Sequence, residues 1–111
     1  MTVTPQIKNI EKISDLKQGQ VLSCIDIIQA YPNVRKMIIF GSSVSDRCTE
    51  QSDVDICFDI EGTTKGVNMF TMSRDIRRAC DHKCDILTYG KLKGKVKDEI
   101  DQKGVVVYEL S

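Results

Sequence analysis

Two aspartates one residue apart, Asp53 and Asp55, stand at the head of an apolar run that ends at Ile60. In an extended strand the side chains of residues i and i+2 point to the same face, so both carboxylates are aimed at one spot. Like charges held close cost free energy unless an opposite charge offsets them, and a divalent cation is the simplest offset. Upstream, across a ten-residue gap, Gly41-Ser42 closes another apolar run, Met37-Ile38-Ile39-Phe40. A glycine turn can present backbone N–H groups to phosphate oxygens. A third carboxylate, Asp85, lies inside the apolar segment Cys84-Asp85-Ile86-Leu87. If that strand pairs beside 54–60, Asp85 meets Asp53 and Asp55. Three carboxylates on adjacent strands suit two Mg²⁺ ions, which prefer oxygen ligands and substrate phosphates. Two such ions stabilise the attacking and the leaving oxygen of a phosphoryl displacement. Asp53 and Asp55 would hold the metals; Asp85 would hold the one nearer the acceptor and could take the proton of its hydroxyl.

Each part has a plainer account. Asp-x-Asp pairs cap many strands, Gly41 could be only a tight turn, and Ser42 only a helix cap. The ordered set is far more specific than its members. Gly41-Ser42, the ten-residue gap, Asp53-Val54-Asp55 and the later Asp85 resemble the signature of the DNA polymerase β-like nucleotidyltransferase superfamily. At this length the chain resembles the minimal nucleotidyltransferase (MNT) proteins of bacteria and archaea. That resemblance implies transfer of a nucleoside monophosphate, AMP from ATP foremost, to a hydroxyl with the help of Mg²⁺. It implies that Gly41 and Ser42, with Ser43, Arg47 and Ser52 nearby, contact the triphosphate, and that Asp53, Asp55 and Asp85 bind metal and complete the catalytic triad. Many family members carry a basic residue just after Gly-Ser and a glycine a few positions on. Ser43 and Asp46 stand there in this chain, with Arg47 as a source of the missing charge. The resemblance also implies a partner, a HEPN-domain ribonuclease, which MNT proteins neutralise as antitoxins, either by adenylylating a tyrosine or by binding alone. Modification of a small molecule, such as an aminoglycoside, would call for more acceptor-binding surface and ranks last.

The elements that must position these residues follow from periodicity. Ile7, Ile10, Ile13 and Leu16 recur every three residues and predict an amphipathic helix within an N-terminal extension, residues 1–17, begun at Thr4-Pro5. That stripe is ordinarily core; it could also pack on a second protomer or a partner. A second helix is expected over 20–31, stopped by Tyr31-Pro32-Asn33. Strands are expected at 35–40 and 54–60, with a short helix near 43–47 and a polar loop, Cys48 to Ser52, between them. The loop Glu61 to Thr64 leads to a helix over 66–80, with Met69, Met72, Ile76 and Ala79 inward and Arg74, Arg77 and Arg78 outward. That basic face is ordinarily solvated; its sharper reading is a dock for an acidic partner or RNA. A strand over 83–87, a lysine-rich helix over 90–102 capped by Gly104 and a final strand over 105–108 complete an α/β (α+β) fold. Its small mixed sheet of three to four strands, flanked by helices, forms one domain.

The chain has 111 residues, with 16 basic and 16 acidic side chains in balance. Net charge zero offers no footprint for nonspecific nucleic-acid binding. No stretch approaches the roughly 20 apolar residues that span a bilayer, and the N-terminus lacks a signal-peptide core. The five cysteines form an odd set, which fits reduced thiols in a cytoplasm. Cys80, His82 and Cys84 alternate and admit a zinc reading with Cys57, although tetrahedral zinc sites more often use Cys-x₂-Cys loops. The plainer expectation is that Cys57 and Cys84 fill the core and His82 is an exposed loop residue.

Overall fold

The computed structural model describes residues 4–61 and 69–110. In chain order the elements are β1 (Pro5–Ile7), α1 (Gln18–Ile28), β2 (Val34–Phe40), β3 (Val54–Ile60), α2 (Met69–Ala79), β4 (Cys84–Thr88), α3 (Gly94–Lys103) and β5 (Val105–Leu110), with short 3₁₀ turns at Ile10–Lys12, Gly41–Val44 and Tyr89–Lys91. The five strands form one mixed sheet in the order β1-β5-β2-β3-β4. β3 and β4 run parallel, and the other pairs are antiparallel. Parallel neighbours need a long crossover, and the segment carrying α2 supplies it.

This topology gathers one set of strand ends. β2 runs antiparallel to β3 and to β5, so its last residues lie beside their first: Phe40 pairs with Asp55, and Ile39 with Val105. β4, parallel to β3, begins at the same end, with Val54 opposite Cys84 and Asp55 opposite Asp85.

Alternation along the strands divides the core in two. Val54, Ile56 and Phe58 join Met37, Ile39 and Val107 in the main cluster beneath α1 and α2, with Val21, Ile25 and Ile28 from α1 and Met72 and Ile76 from α2. The opposite face carries a small cluster, Ile38, Phe40, Cys57 and Ile100, beneath α3. The face of β3 that holds Asp53, Asp55, Cys57 and Asp59 is therefore covered by α3 along part of its length, and Cys57 is fully buried there.

The expected N-terminal helix is absent. Pro5–Ile7 form an edge strand on β5, with Ile7 opposite Tyr108. Proline is tolerated on an edge strand, where no ladder donor is required. Asn9 then takes a left-handed conformation, φ 59°, which breaks any helix. Ile13 is buried, but Ile7 and Leu16 are each 49% exposed, so the three-residue stripe is no continuous apolar face. This strand raises the sheet from the expected three to four strands to five, and the last strand runs on to Leu110. The short helix expected near 43–47 is a 3₁₀ turn that starts at Gly41 itself, and the lysine-rich helix starts at Gly94. Gly104 is the C-cap of α3, as expected, its N–H donating to Ile100 C=O at 2.9 Å, but its φ of −64° is not left-handed. Glycine is needed there because a Cβ would come within 2.5 Å of the Ile100 carbonyl oxygen and 2.7 Å of Ile38 Cγ2. The expected loop at 62–64 and the first turn expected for the helix over 66–80 lie outside the described residues.

Candidate functional site

The gathered strand ends bring Gly41-Ser42, Asp53, Asp55 and Asp85 to one corner of the sheet. Gly41 has φ +73°, and a Cβ on it would overlap the Asp55 carboxylate. Glycine is thus required twice, for the left-handed backbone and for the close approach of an acidic side chain. The turn is pinned from outside: Ser14 N–H donates to Ser43 C=O at 2.8 Å. Lys17, 2% exposed, donates from Nζ to Glu50 C=O at 3.1 Å and so holds the loop that delivers Asp53. At the other strand, Arg77 Nη1 donates to Cys84 C=O at 3.2 Å, one residue before Asp85. Val54 N–H donates to Lys83 C=O at 2.9 Å, which locks the starts of β3 and β4 together.

Asp55 bears the electrostatic load. Burial pushes its carboxyl above the ordinary carboxylate range, and the charges of Asp85, Asp53 and Glu99 push it further. A half-buried acid crowded by three others is destabilised in its charged form, which is the condition a bound cation relieves. Among the described residues no three Asp, Glu, His or Cys side chains are drawn into a cluster tight enough to hold a metal ion. Asp53 and Asp85 are exposed, and Asp55 is half-buried.

Beside the turn opens a cavity of about 650 Å³ lined by Gly41, Ser42, Val44, Ser45, Asp46, Arg47, Glu99 and Lys103. Small-molecule sites commonly measure about 300–1,000 Å³. None of the three aspartates lines this cavity; the Asp55 carboxylate lies against Gly41, which does. Of the residues expected to contact the triphosphate, Gly41, Ser42 and Arg47 line it; Ser43 and Ser52 do not. Ser43 is fully buried, and its hydroxyl has no hydrogen-bond partner. The Ser52 hydroxyl accepts from Thr49 N–H at 2.9 Å and serves the turn before Asp53. Glu99 and Lys103 were not legible as site residues, because nothing local marks them. They arrive because β5 begins at this corner and α3 ends there.

The alternating Cys80, His82 and Cys84 do not converge with Cys57. His82 is exposed and sits with Asp81 in a left-handed turn, φ 60° and 53°. Cys57 belongs to the α3 side of the sheet and Cys84 to the other. Cys80 instead meets Cys24 of α1, Sγ to Sγ 3.5 Å, in the main core.

The molecule is thus a small α+β domain whose mixed sheet collects a glycine turn and three aspartates at one corner. The family model for polymerase β nucleotidyltransferases matches residues 23–111, and the chain belongs to that family. Its fold is similar to those of several solved structures. One is a toxin–antitoxin with AMP-PNP (TM-score 0.65, 16% identity, covering 78% of this chain and 70% of that one). Another is the toxin–antitoxin MntA–HepT (TM-score 0.59, 15% identity, 79% and 68%). A third is a tri-AMPylated Shewanella oneidensis HEPN toxin in complex with its MNT antitoxin (TM-score 0.55, 18% identity, 79% and 71%). Comparison with the curated proteins gives no match.

Proposed function

We propose that this chain is an antitoxin of the MNT type that transfers AMP from ATP to a tyrosine hydroxyl of a HEPN-domain partner. The observation that carries the reading is the pairing of Asp55 with Asp85 across parallel strands, beside a glycine turn that only a residue without Cβ could make. Family membership supports nucleotidyl transfer, and the neighbours bound to AMP-PNP or to an AMPylated HEPN toxin support the nucleotide and the acceptor.

Asp53, Asp55 and Asp85 would hold Mg²⁺. An all-carboxylate donor set fits a hard cation that prefers oxygen, and the crowding around Asp55 fits a cationic partner. When bound, the metal neutralises phosphate charge and stabilises the attacking and leaving oxygens. The chain's own residues do the rest. The backbone of Gly41 and Ser42 receives the triphosphate, and the cavity beside them holds it in place. The acceptor oxygen attacks the α-phosphorus, forming the new P–O bond as the bond to the β-phosphate oxygen breaks, and pyrophosphate leaves. Asp85, exposed on the edge strand β4, accepts the hydroxyl proton. Positioning and charge neutralisation supply most of the acceleration.

A second reading, a binding-only antitoxin, is favoured by one observation: Ser43, where many relatives carry a basic residue, is buried away from the cavity. The two readings separate by label transfer from α-labelled ATP with Mg²⁺ to a co-purified or lysate-derived partner. Label on the partner that disappears with Asp53→Asn/Asp55→Asn establishes transfer. An unlabelled partner that still binds tightly establishes the second reading.

A further inference from the structure

We infer that Lys103, at the end of α3, joins Arg47 in clasping the polyphosphate tail of the nucleotide, so that the cation many relatives carry just after Gly-Ser is supplied here from the far end of the chain. The inference rests on the proposed function for the kind of ligand, and on the geometry for the residue.

Four observations converge on Lys103. It lines the same cavity as Gly41, Ser42 and Arg47. Its place there follows from topology, because Ile39, two residues before Gly41, pairs with Val105, two residues after Lys103. Neither the Lys103 ammonium nor the Arg47 guanidinium makes an ion pair or hydrogen bond among the described residues; other surface cations such as Lys12 and Lys93 are equally unpaired, but these two also line the cavity. Finally, Ser43 is turned into the core, so the turn itself contributes no cation to the cavity.

A lysine in the last turn of a helix is ordinarily explained by the helix dipole. That explanation would hold for any direction of the side chain. It does not account for a lysine and an arginine, 56 positions apart in sequence, facing one cavity next to a phosphate-type turn. Two carboxylates, Asp46 and Glu99, share the lining. Without two cations the cavity would repel an anion. Lys103 and Arg47 are left for the phosphates that depart as pyrophosphate. A clasp on those phosphates discriminates by the length of the tail: a nucleoside triphosphate gains from it and a monophosphate does not.

The test is equilibrium binding of AMP-PNP and of AMP, each with Mg²⁺, to the full chain and to Lys103→Ala, Lys103→Arg and Arg47→Ala. Lys103 is exposed, so the variants should melt with the wild type, which a thermal scan verifies. The expected result is that Lys103→Ala weakens AMP-PNP about tenfold, as loss of one charge-assisted phosphate contact does. AMP should change less than about twofold, Lys103→Arg should stay within about threefold of wild type, and Arg47→Ala should resemble Lys103→Ala. Unchanged AMP-PNP affinity in Lys103→Ala, or equal losses for AMP and AMP-PNP, would overturn the clasp. So would a wild-type chain that fails to bind AMP-PNP. A chain whose AMP-PNP binding depends on Lys103 but which labels no partner keeps the clasp and loses the proposed transfer.

Discussion

At the residue scale, Gly41 and Asp55 are a matched pair. The carboxylate occupies the space that any other residue's Cβ would take, and the backbone at 41 lies where an L side chain is strained. Gly41→Ala is therefore expected to cost about 2 kcal/mol of stability and to abolish nucleotide binding; denaturant unfolding and AMP-PNP titration check the two effects separately. Asp55 makes the opposite trade. Its folded-state pKa is raised, by burial first and by Asp85, Asp53 and Glu99 after it. The group thus favours the folded state while protonated, and that contribution is lost as pH rises from the ordinary carboxylate range through the raised value. In chelator, Asp55→Asn should make the protein more stable than wild type at neutral pH. The advantage should shrink as pH falls below the ordinary carboxylate pKa, where Asp55 is neutral anyway. Unfolding midpoints against pH for both proteins measure this. Label transfer should be lost in the same variant, which would mark Asp55 as a residue kept for chemistry at the expense of stability.

At the element scale, α3 is the weakly fastened part of the site. α1 buries four residues and α2 buries two in the main cluster, while α3 contributes Ile100 alone to the small one. Removing most of a buried isoleucine costs about 2–5 kcal/mol, and here the loss falls on one helix. Ile100→Ala is expected to loosen α3 and withdraw Glu99 and Lys103 from the corner. AMP-PNP affinity should then fall by at least as much as in Lys103→Ala, while the core beneath α1 and α2 stays protected in hydrogen exchange. Gly104→Ala tests the same joint from the other side. Its Cβ would strike the Ile100 carbonyl and Ile38, so a loss of about 2 kcal/mol is expected in thermal or denaturant unfolding.

At the scale of the whole molecule, two faces of one sheet divide the labour. The face beneath α1 and α2 is a dry core; the α3 face turns acidic at its end and holds the site. No helix among the described residues is long and apolar enough to cross a membrane. The thiols report on this division. Cys24, Cys57, Cys80 and Cys84 are buried and Cys48 is partly exposed. Burial, foremost, pushes the Cys57 and Cys84 thiols up to about 11, and the Cys24 thiol, in contact with Cys80, is held higher still. One of the five cysteines should therefore react rapidly with a thiol reagent in the native protein at neutral pH, and the other four only on unfolding. Mass spectrometry of the labelled chain should place the fast label at Cys48.

The glycine turn and the paired aspartates of the candidate site were legible in the sequence because their spacing is local. Gly41-Ser42 and Asp53-Val54-Asp55 are short words whose meaning depends on the turn and on strand alternation alone. β3 was expected over 54–60 and is found there, since Val54, Ile56, Phe58 and Ile60 alternate with Asp55, Cys57 and Asp59. Local reasoning failed where tertiary pairing outweighs periodicity. Ile7, Ile10, Ile13 and Leu16 read as a helix until Pro5–Ile7 are offered the edge of β5. Gly104 caps α3 as expected, its N–H donating to Ile100 C=O, but it is the closeness of Ile38, not a left-handed backbone, that requires glycine there. The sequence by itself determined which side chains could bind a metal and phosphates, because that is set by their chemistry and near spacing. Only the tertiary structure decided that Asp85, Glu99 and Lys103 share their corner, because strand order and direction bring together residues that no local pattern connects.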